Sequence, residues 1–154
     1  MKTFKSYILE KLVIDNDVKI EPIERYEVGD IILMISYWKN DDECAMALTK
    51  IDEIDTEEKI IYTRTDGANY RGHLNYSKTD VNYKYIAVND SRGIPYVFIP
   101  ENNVLDILKT IHDNGNKIDS SLFNNPNVNN KKPINVSFMY DSYIKEFKEL
   151  VANK

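Results

Sequence analysis

Between residues 62 and 85 the sequence runs YTRTDGANYRGHLNYSKTDVNYKY, in which Tyr62, Tyr70, Tyr76, Tyr83 and Tyr85 are interleaved with Arg64, Arg71, Lys78 and Lys84. Rings so placed offer faces on which bases stack, and the cations neutralise phosphates, which is how single strands are held on small barrels. The same residue types serve a protein contact equally well, because tyrosine supplies large area at low entropic cost. A third reading makes about half of these tyrosines strand residues that pack on their own sheet. Tyr62, Arg64, Tyr70, Arg71, His73, Tyr76 and Lys78 are therefore the candidate contact residues for nucleic acid or protein. Only Asp66 and Asp80 oppose the cations of this stretch, in a chain of net charge −5. That overall charge excludes a strongly basic binder and limits counterion release, so any binding of nucleic acid is expected to be weak.

The inventory for catalysis is thin. His73 and His112 are the only imidazoles and Cys44 the only thiol. His112 falls in the last turn of a predicted helix, where a cation complements the helix dipole. Cys44 follows Asp41, Asp42 and Glu43, carboxylates that raise a thiol pKa, opposite to what a nucleophile needs. The acidic run lacks the ligand spacing of a calcium loop and reads as a solvated hairpin turn. No catalytic residue, metal or cofactor is assigned, and the chain reads as non-enzymatic. One cysteine permits no intramolecular disulfide, which favours a reducing compartment. The apolar run from Ile31 to Ile35 is strand-sized, and Glu10 and Lys11 interrupt the N-terminal stretch before a secretory apolar region forms. Neither a membrane nor export is expected.

The elements that must carry these residues follow from periodicity. With 154 residues, 42% hydrophobic and 29% charged, the chain is long enough for one domain with one core. Phe4, Tyr7, Ile8 and Leu12 share one helical face and predict an N-terminal helical arm within residues 1–25; Asp15, Asn16 and Asp17 form a turn after it. Residues 26–100 read as five strands: YEVGDIILMISYW, CAMALTKIDEID, KIIYTR, YKYIAV and IPYVFIP. Five strands at this spacing suit a small barrel or compact sandwich. Over residues 101–154 two helices are predicted. The first carries the stripe Val104, Ile107, Leu108 and Ile111 between Asn103 as N-cap and Gly115 as stop. The second carries Tyr140, Tyr143, Ile144, Phe147, Leu150 and Val151 behind Ser137. Between them residues 116–136, rich in Asn and Pro, show no periodicity and read as a long loop.

The opening MKTFKSYILE resembles the capsid-targeting peptides of internal head proteins of tailed bacteriophages, in which a lysine-bearing amphipathic helix precedes a cut after Ile or Leu, any residue and Glu. That resemblance implies a processing site at Ile8, Leu9 and Glu10. It implies equally that Phe4, Tyr7, Ile8 and Leu12 bind a partner, while their own periodicity is met as well by docking on this chain's core. The phrase Ser-Tyr-Ile-x-Glu recurs at Ser142 to Glu146, as two short amphipathic helices of similar composition would give. VGDI at residues 28–31 resembles the Gly-Asp turn entering the first long strand of SH3-like and PUA-like barrels.

The expected fold is α+β: a small five-stranded, SH3-like or PUA-like β-barrel with an N-terminal helical arm and two C-terminal helices. The expected function is that of a non-enzymatic bacteriophage protein, virion-associated or structural, whose partners are other protein subunits. The alternative is a cytoplasmic nucleic-acid-binding barrel acting on the host. The expected location is the virion or the host cytoplasm.

Overall fold

The computed structural model of the chain describes residues 22–64, 71–75, 85–89, 92–123, 125–129 and 132–154. The expected N-terminal helix, with Phe4, Tyr7, Ile8, Glu10 and Leu12, lies outside them. A single 3-10 turn, Pro22–Arg25, seats Ile23 and the following Tyr26 on the sheet. Gly29 then takes φ +93°, a left-handed conformation that an L side chain resists. Its amide donates to the Ile51 carbonyl, and the Ile51 amide donates to the Asp30 carbonyl, both at 2.9 Å. The Asp30 carboxylate accepts the Glu27 amide at 3.0 Å. This Gly-Asp turn sets the register of β1, Ile31–Trp38, against β2, Glu43–Asp55.

Four more strands complete the main path: β3 (Ile60–Arg64), β4 (Arg71–Asn75), β5 (Ile86–Asn89) and β6 (Pro95–Ile99). Their order is β4-β3-β2-β1-β6-β5, with every neighbouring pair antiparallel. The end strands β4 and β5 touch, so the sheet curls into a half-barrel. The path holds six strands where five were expected. The missed one is β4, RGHLN, which has no β-branched residue and contains a glycine, so neither propensity nor alternation marks it.

Alternation on the other strands divides the core in two. On one face Ile31, Leu33, Ile35, Val97 and Ile99 meet the helices; on the other Ile32, Ile51, Ile61, Ile86 and Phe98 meet Ile23 and Tyr26. Helix α1, Glu101–Asp113, buries Val104, Leu108 and Ile111 of the predicted stripe against the first face, with Ile107 half-buried beside them. It starts earlier than predicted: Pro100 is the N-cap and no side chain caps the amides, so Asn103 is inside the helix. Its end is as predicted, with Gly115 at φ +77° and the Asn116 amide donating to the Ile111 carbonyl at 2.9 Å. Helix α3, Tyr140–Ala152, buries Phe147, and its N-cap is Met139 rather than Ser137.

Residues 116–136, expected as a loop, carry four short elements: β7 (Lys117–Ile118), a 3-10 turn (Ser120–Phe123), the single helical turn α2 (Pro126–Asn129) and β8 (Ile134–Val136). Ile118, Phe123, Val128, Ile134 and Val136 are all buried in the helix-side core. Their spacing fits no single period, which is why the segment reads as loop. Strand β8 pairs with β7 and also runs parallel to the start of β2, with Cys44 opposite Val136.

Candidate interaction surface

Among the described side chains, Cys44, the acidic turn and His112 are each engaged within the fold. Cys44 is buried, and its thiol is pushed up to about 12 by burial first and then by Glu43 and Asp42. The acidic turn is tied back by Tyr37, whose hydroxyl donates to Asp42 Oδ1 at 2.9 Å; burial and that bond both raise the Tyr37 pKa. The His112 ring stacks on Tyr140, centroids 4.3 Å apart and planes 8° from parallel. Carboxylates and an ammonium converge where Lys154 Nζ lies 2.5 Å from Glu101 Oε1 and 3.9 Å from Asp30 Oδ1. The same Glu101 oxygen accepts the Ile31 amide at 2.9 Å. The cluster thus ties β1, α1 and the end of α3 together. Among the described residues no three His, Cys, Asp or Glu side chains form a metal-holding group.

A different kind of site lies at the open end of the second sheet face. Strand register sets Ala47, Met34, Phe98 and Ile86 in one row across β2, β1, β6 and β5, and Ala45, Ser36, Tyr96 and Val88 in the next. Phe98 and Ile86 are buried, whereas Tyr96 and Val88 are half-buried and Ala45 is exposed. One step further along β1, Trp38 folds back, its Nε1 donating to Ser36 Oγ at 2.8 Å. The indole so placed covers Ser36, which explains why a serine at the open end is 7% exposed. From the β5–β6 turn Arg92 reaches over the indole, its guanidinium carbon 5.3 Å from the ring centroid, and its Nη2 donates to Tyr96 Oη at 3.2 Å. Trp38, Arg92 and Tyr96 therefore form a layered aromatic–guanidinium cluster built on two neighbouring strands and the turn beside them.

Tyr70, Tyr76 and Lys78, among the residues singled out from sequence, lie outside the described residues. Tyr85, just before β5, is a core residue, its hydroxyl pushed up to about 12 by burial. Tyr62, Arg64, Arg71 and His73 are brought together: Tyr62 stands opposite His73, and Arg64 opposite Arg71. Sequence reasoning missed Trp38, Arg92 and Tyr96. The first ends an apolar run and the second sits in a polar turn, so only the β1–β6 register relates them. Among the described residues no helix is long and apolar enough to cross a membrane. No family model, curated protein or solved structure matches the chain.

Proposed function

We propose that this chain is a non-enzymatic binding protein that works through protein contacts, with Trp38, Arg92 and Tyr96 as the anchor of its interface. The observation that carries the reading is the Arg92 guanidinium held over the Trp38 ring and bonded to Tyr96 at the open end of the sheet. Trp, Tyr and Arg are the residues most enriched where binding energy concentrates. Here the arginine is already ordered by the ring beneath it, which lowers the entropy lost on binding. Two resemblances extend the reading. The N-terminal decapeptide, so like a capsid-targeting peptide, supports a virion-associated bacteriophage protein, and the Gly-Asp turn entering β1 supports kinship with SH3-like or PUA-like barrels.

The test compares the immobilised parent with Arg92→Ala and Trp38→Ala for retention of one and the same partner from the native particle or cell. Loss of that partner by either variant, with parent-like melting, is expected, since truncating an interface anchor costs about 2 kcal/mol or more. Unchanged retention by both overturns the assignment. A mass spectrum of the protein from its native source, starting at Lys11 rather than Met1, would support the capsid-targeting reading; a chain starting at Met1 in mature particles would count against it.

A further inference from the structure

The Trp38 cluster is one end of a longer row. Trp38 on β1 stands opposite Glu43 on β2, Glu43 opposite Asn135 on β8, and Asn135 opposite Lys117 on β7. Their neighbours along the strands, Tyr37, Cys44, Ile134, Val136 and Ile118, are all buried in the helix-side core. By alternation Trp38, Glu43, Asn135 and Lys117 face the other way. Asn135 and Lys117 are exposed, and Glu43 and Trp38 are half-buried. Adjacent strands lie about 4.8 Å apart, so the row spans about 14 Å. It reads ammonium, amide, carboxylate, ring, with the Arg92 guanidinium over the ring. Among the described residues neither Glu43 nor Lys117 takes part in an ion pair.

Helix α3 carries a matching series. Asp141, Lys145, Lys148 and Ala152 recur at i, i+4, i+7 and i+11, so they form one stripe, and all four are exposed. Among the described residues the three charged ones also take part in no ion pair. A rise of about 1.5 Å per residue sets the stripe at about 0, 6, 10.5 and 16.5 Å along the helix axis. The sheet row, from Lys117 to Trp38, falls at about 0, 5, 10 and 14 Å. Set side by side, Asp141 meets Lys117, Lys145 donates to the Asn135 amide oxygen, Lys148 meets Glu43, and the small Ala152 leaves room for the indole. Helix α3 has no basic residue in its last turn, and there Arg92 supplies the cation that a helix C-terminus favours. In the reverse direction Ala152 would face Lys117 and leave that charge unmatched.

We infer that the row from Lys117 to Trp38 is the docking site for helix α3 of a second copy of this chain. The inference rests on the reading of the chain as a protein that works through contacts anchored at Trp38, and it names the partner. Helix α3 packs on the helix side of the sheet, and the row faces the opposite side. The contact therefore joins two different surfaces, head to tail, and leaves each copy with one unused surface for the next. Contacts of this type build rings where the rotation closes and filaments where it does not. Copies of net charge −5 repel one another in general, so the local match of signs along the row is what selects this approach.

The test is sedimentation velocity of the full chain over a range of concentrations, with one variant on each surface. Lys117→Glu sets a carboxylate against Asp141, and Lys148→Glu sets one against Glu43. Each should weaken self-association by about tenfold or more, because like charges juxtaposed across an interface cost more than the pair they replace. Mixed together, the two variants should form a one-to-one dimer and stop there, since the mixture holds one native row and one native helix stripe that fit each other. Lys50→Glu makes the same change of net charge on an exposed residue at the other end of the β1–β2 ladder and should leave association as it is. Circular dichroism and melting confirm each fold, and Lys148→Gln replaces Lys148→Glu if the latter loosens α3. The proposal falls if the parent is monomeric throughout, if the mixed variants stay monomeric, or if Lys50→Glu weakens association as much as they do. The retention experiment on Trp38→Ala and Arg92→Ala fails separately: a monomeric parent that still loses a partner in those variants overturns the self-contact and keeps the anchor. A parent that self-associates as described, and does so equally well with Trp38→Ala and Arg92→Ala, keeps the self-contact and overturns the anchor.

Discussion

The hydroxyl of Tyr26 donates to the carbonyl of Phe98, 72 positions away in sequence, and accepts the amide of Ile86 at 3.2 Å. Phe98 and Ile86 are themselves opposite each other on β6 and β5. One side-chain oxygen from the entry turn is therefore inserted into the edge of the sheet and fixes where β5 begins. Tyr26→Phe keeps the buried ring and removes the oxygen, leaving a buried carbonyl and amide without it. We expect a loss of about 1–3 kcal/mol, the usual cost of a buried polar group deprived of its partner. Urea denaturation measures it, and hydrogen exchange at Ile86 should accelerate in the variant. Parent-like stability would mean that the sheet edge closes without the hydroxyl.

Cys44 makes a second case. Its thiol pKa is raised from 9.0 to about 12, chiefly by burial. Folded protein therefore binds the thiol proton more tightly than unfolded protein does. The resulting stability is fully present below pH 9.0 and is lost as pH rises toward about 12. The thiolate is also the form that attacks a disulfide reagent. Dithionitrobenzoate added to native protein near neutral pH should react only as fast as the chain opens, and at once in denaturant. Rapid reaction of the native protein would place the thiol nearer solvent than the β2–β8 pairing allows.

Asp30 titrates with the same sign, and burial again leads. Its pKa is raised above 3.8, first by burial, against the lowering effect of the Glu27 amide and Lys154, with Glu101 adding to the rise. A raised carboxyl pKa means a contribution that is complete below pH 3.8 and is lost as pH rises through the folded value. Asp30→Asn keeps an oxygen to accept the Glu27 amide and removes the charge. Relative to the parent, the variant should gain stability as pH is raised from 3.8 toward neutrality. Melting temperatures of both proteins across that range decide it. A difference that shrinks as pH rises would show that the Lys154 ion pair outweighs burial at this site.

What was legible in the sequence was whatever local periodicity alone enforces. The stripe Val104, Leu108 and Ile111 must face a core whatever that core is, and Gly115 at φ +77° must end the helix. Strand β4 was not legible, because its place is set by β3 and not by its own residues. The β7–β8 ribbon was hidden for a related reason: Ile118 and Ile134 face each other across an intervening stretch that has no period. The candidate interaction surface depends on register between strands distant in sequence. Trp38 and Arg92 are 54 positions apart by number, and nothing local links them. Lys50 stands opposite Arg64 on β3 only once the bulge after Ile51 has been placed.

The C-terminal helix gives the most direct test of how the two parts of the fold hold each other. Isolated helices of α3's length are marginal in water, so the surface it covers must stabilise it. Phe147, 6% exposed, is its buried anchor, with Tyr143, Ile144, Leu150 and Val151 packed around the same core. At the other end the Tyr143 hydroxyl donates to the Met46 carbonyl at 2.7 Å, tying α3 to β2. The two attachments differ in kind, one apolar and one polar, and they should differ in weight. Phe147→Ala removes a large ring from a packed core and is expected to cost about 3–5 kcal/mol. Tyr143→Phe removes only a half-buried hydrogen bond and is expected to cost about 1 kcal/mol. Hydrogen exchange separates local from global effects: in Phe147→Ala the amides from Tyr143 to Leu150 should exchange faster while those of β1 keep most of their protection. If the β1 amides lose protection equally, α3 and the sheet unfold as one unit, and the helix is part of the central core rather than a layer laid upon it.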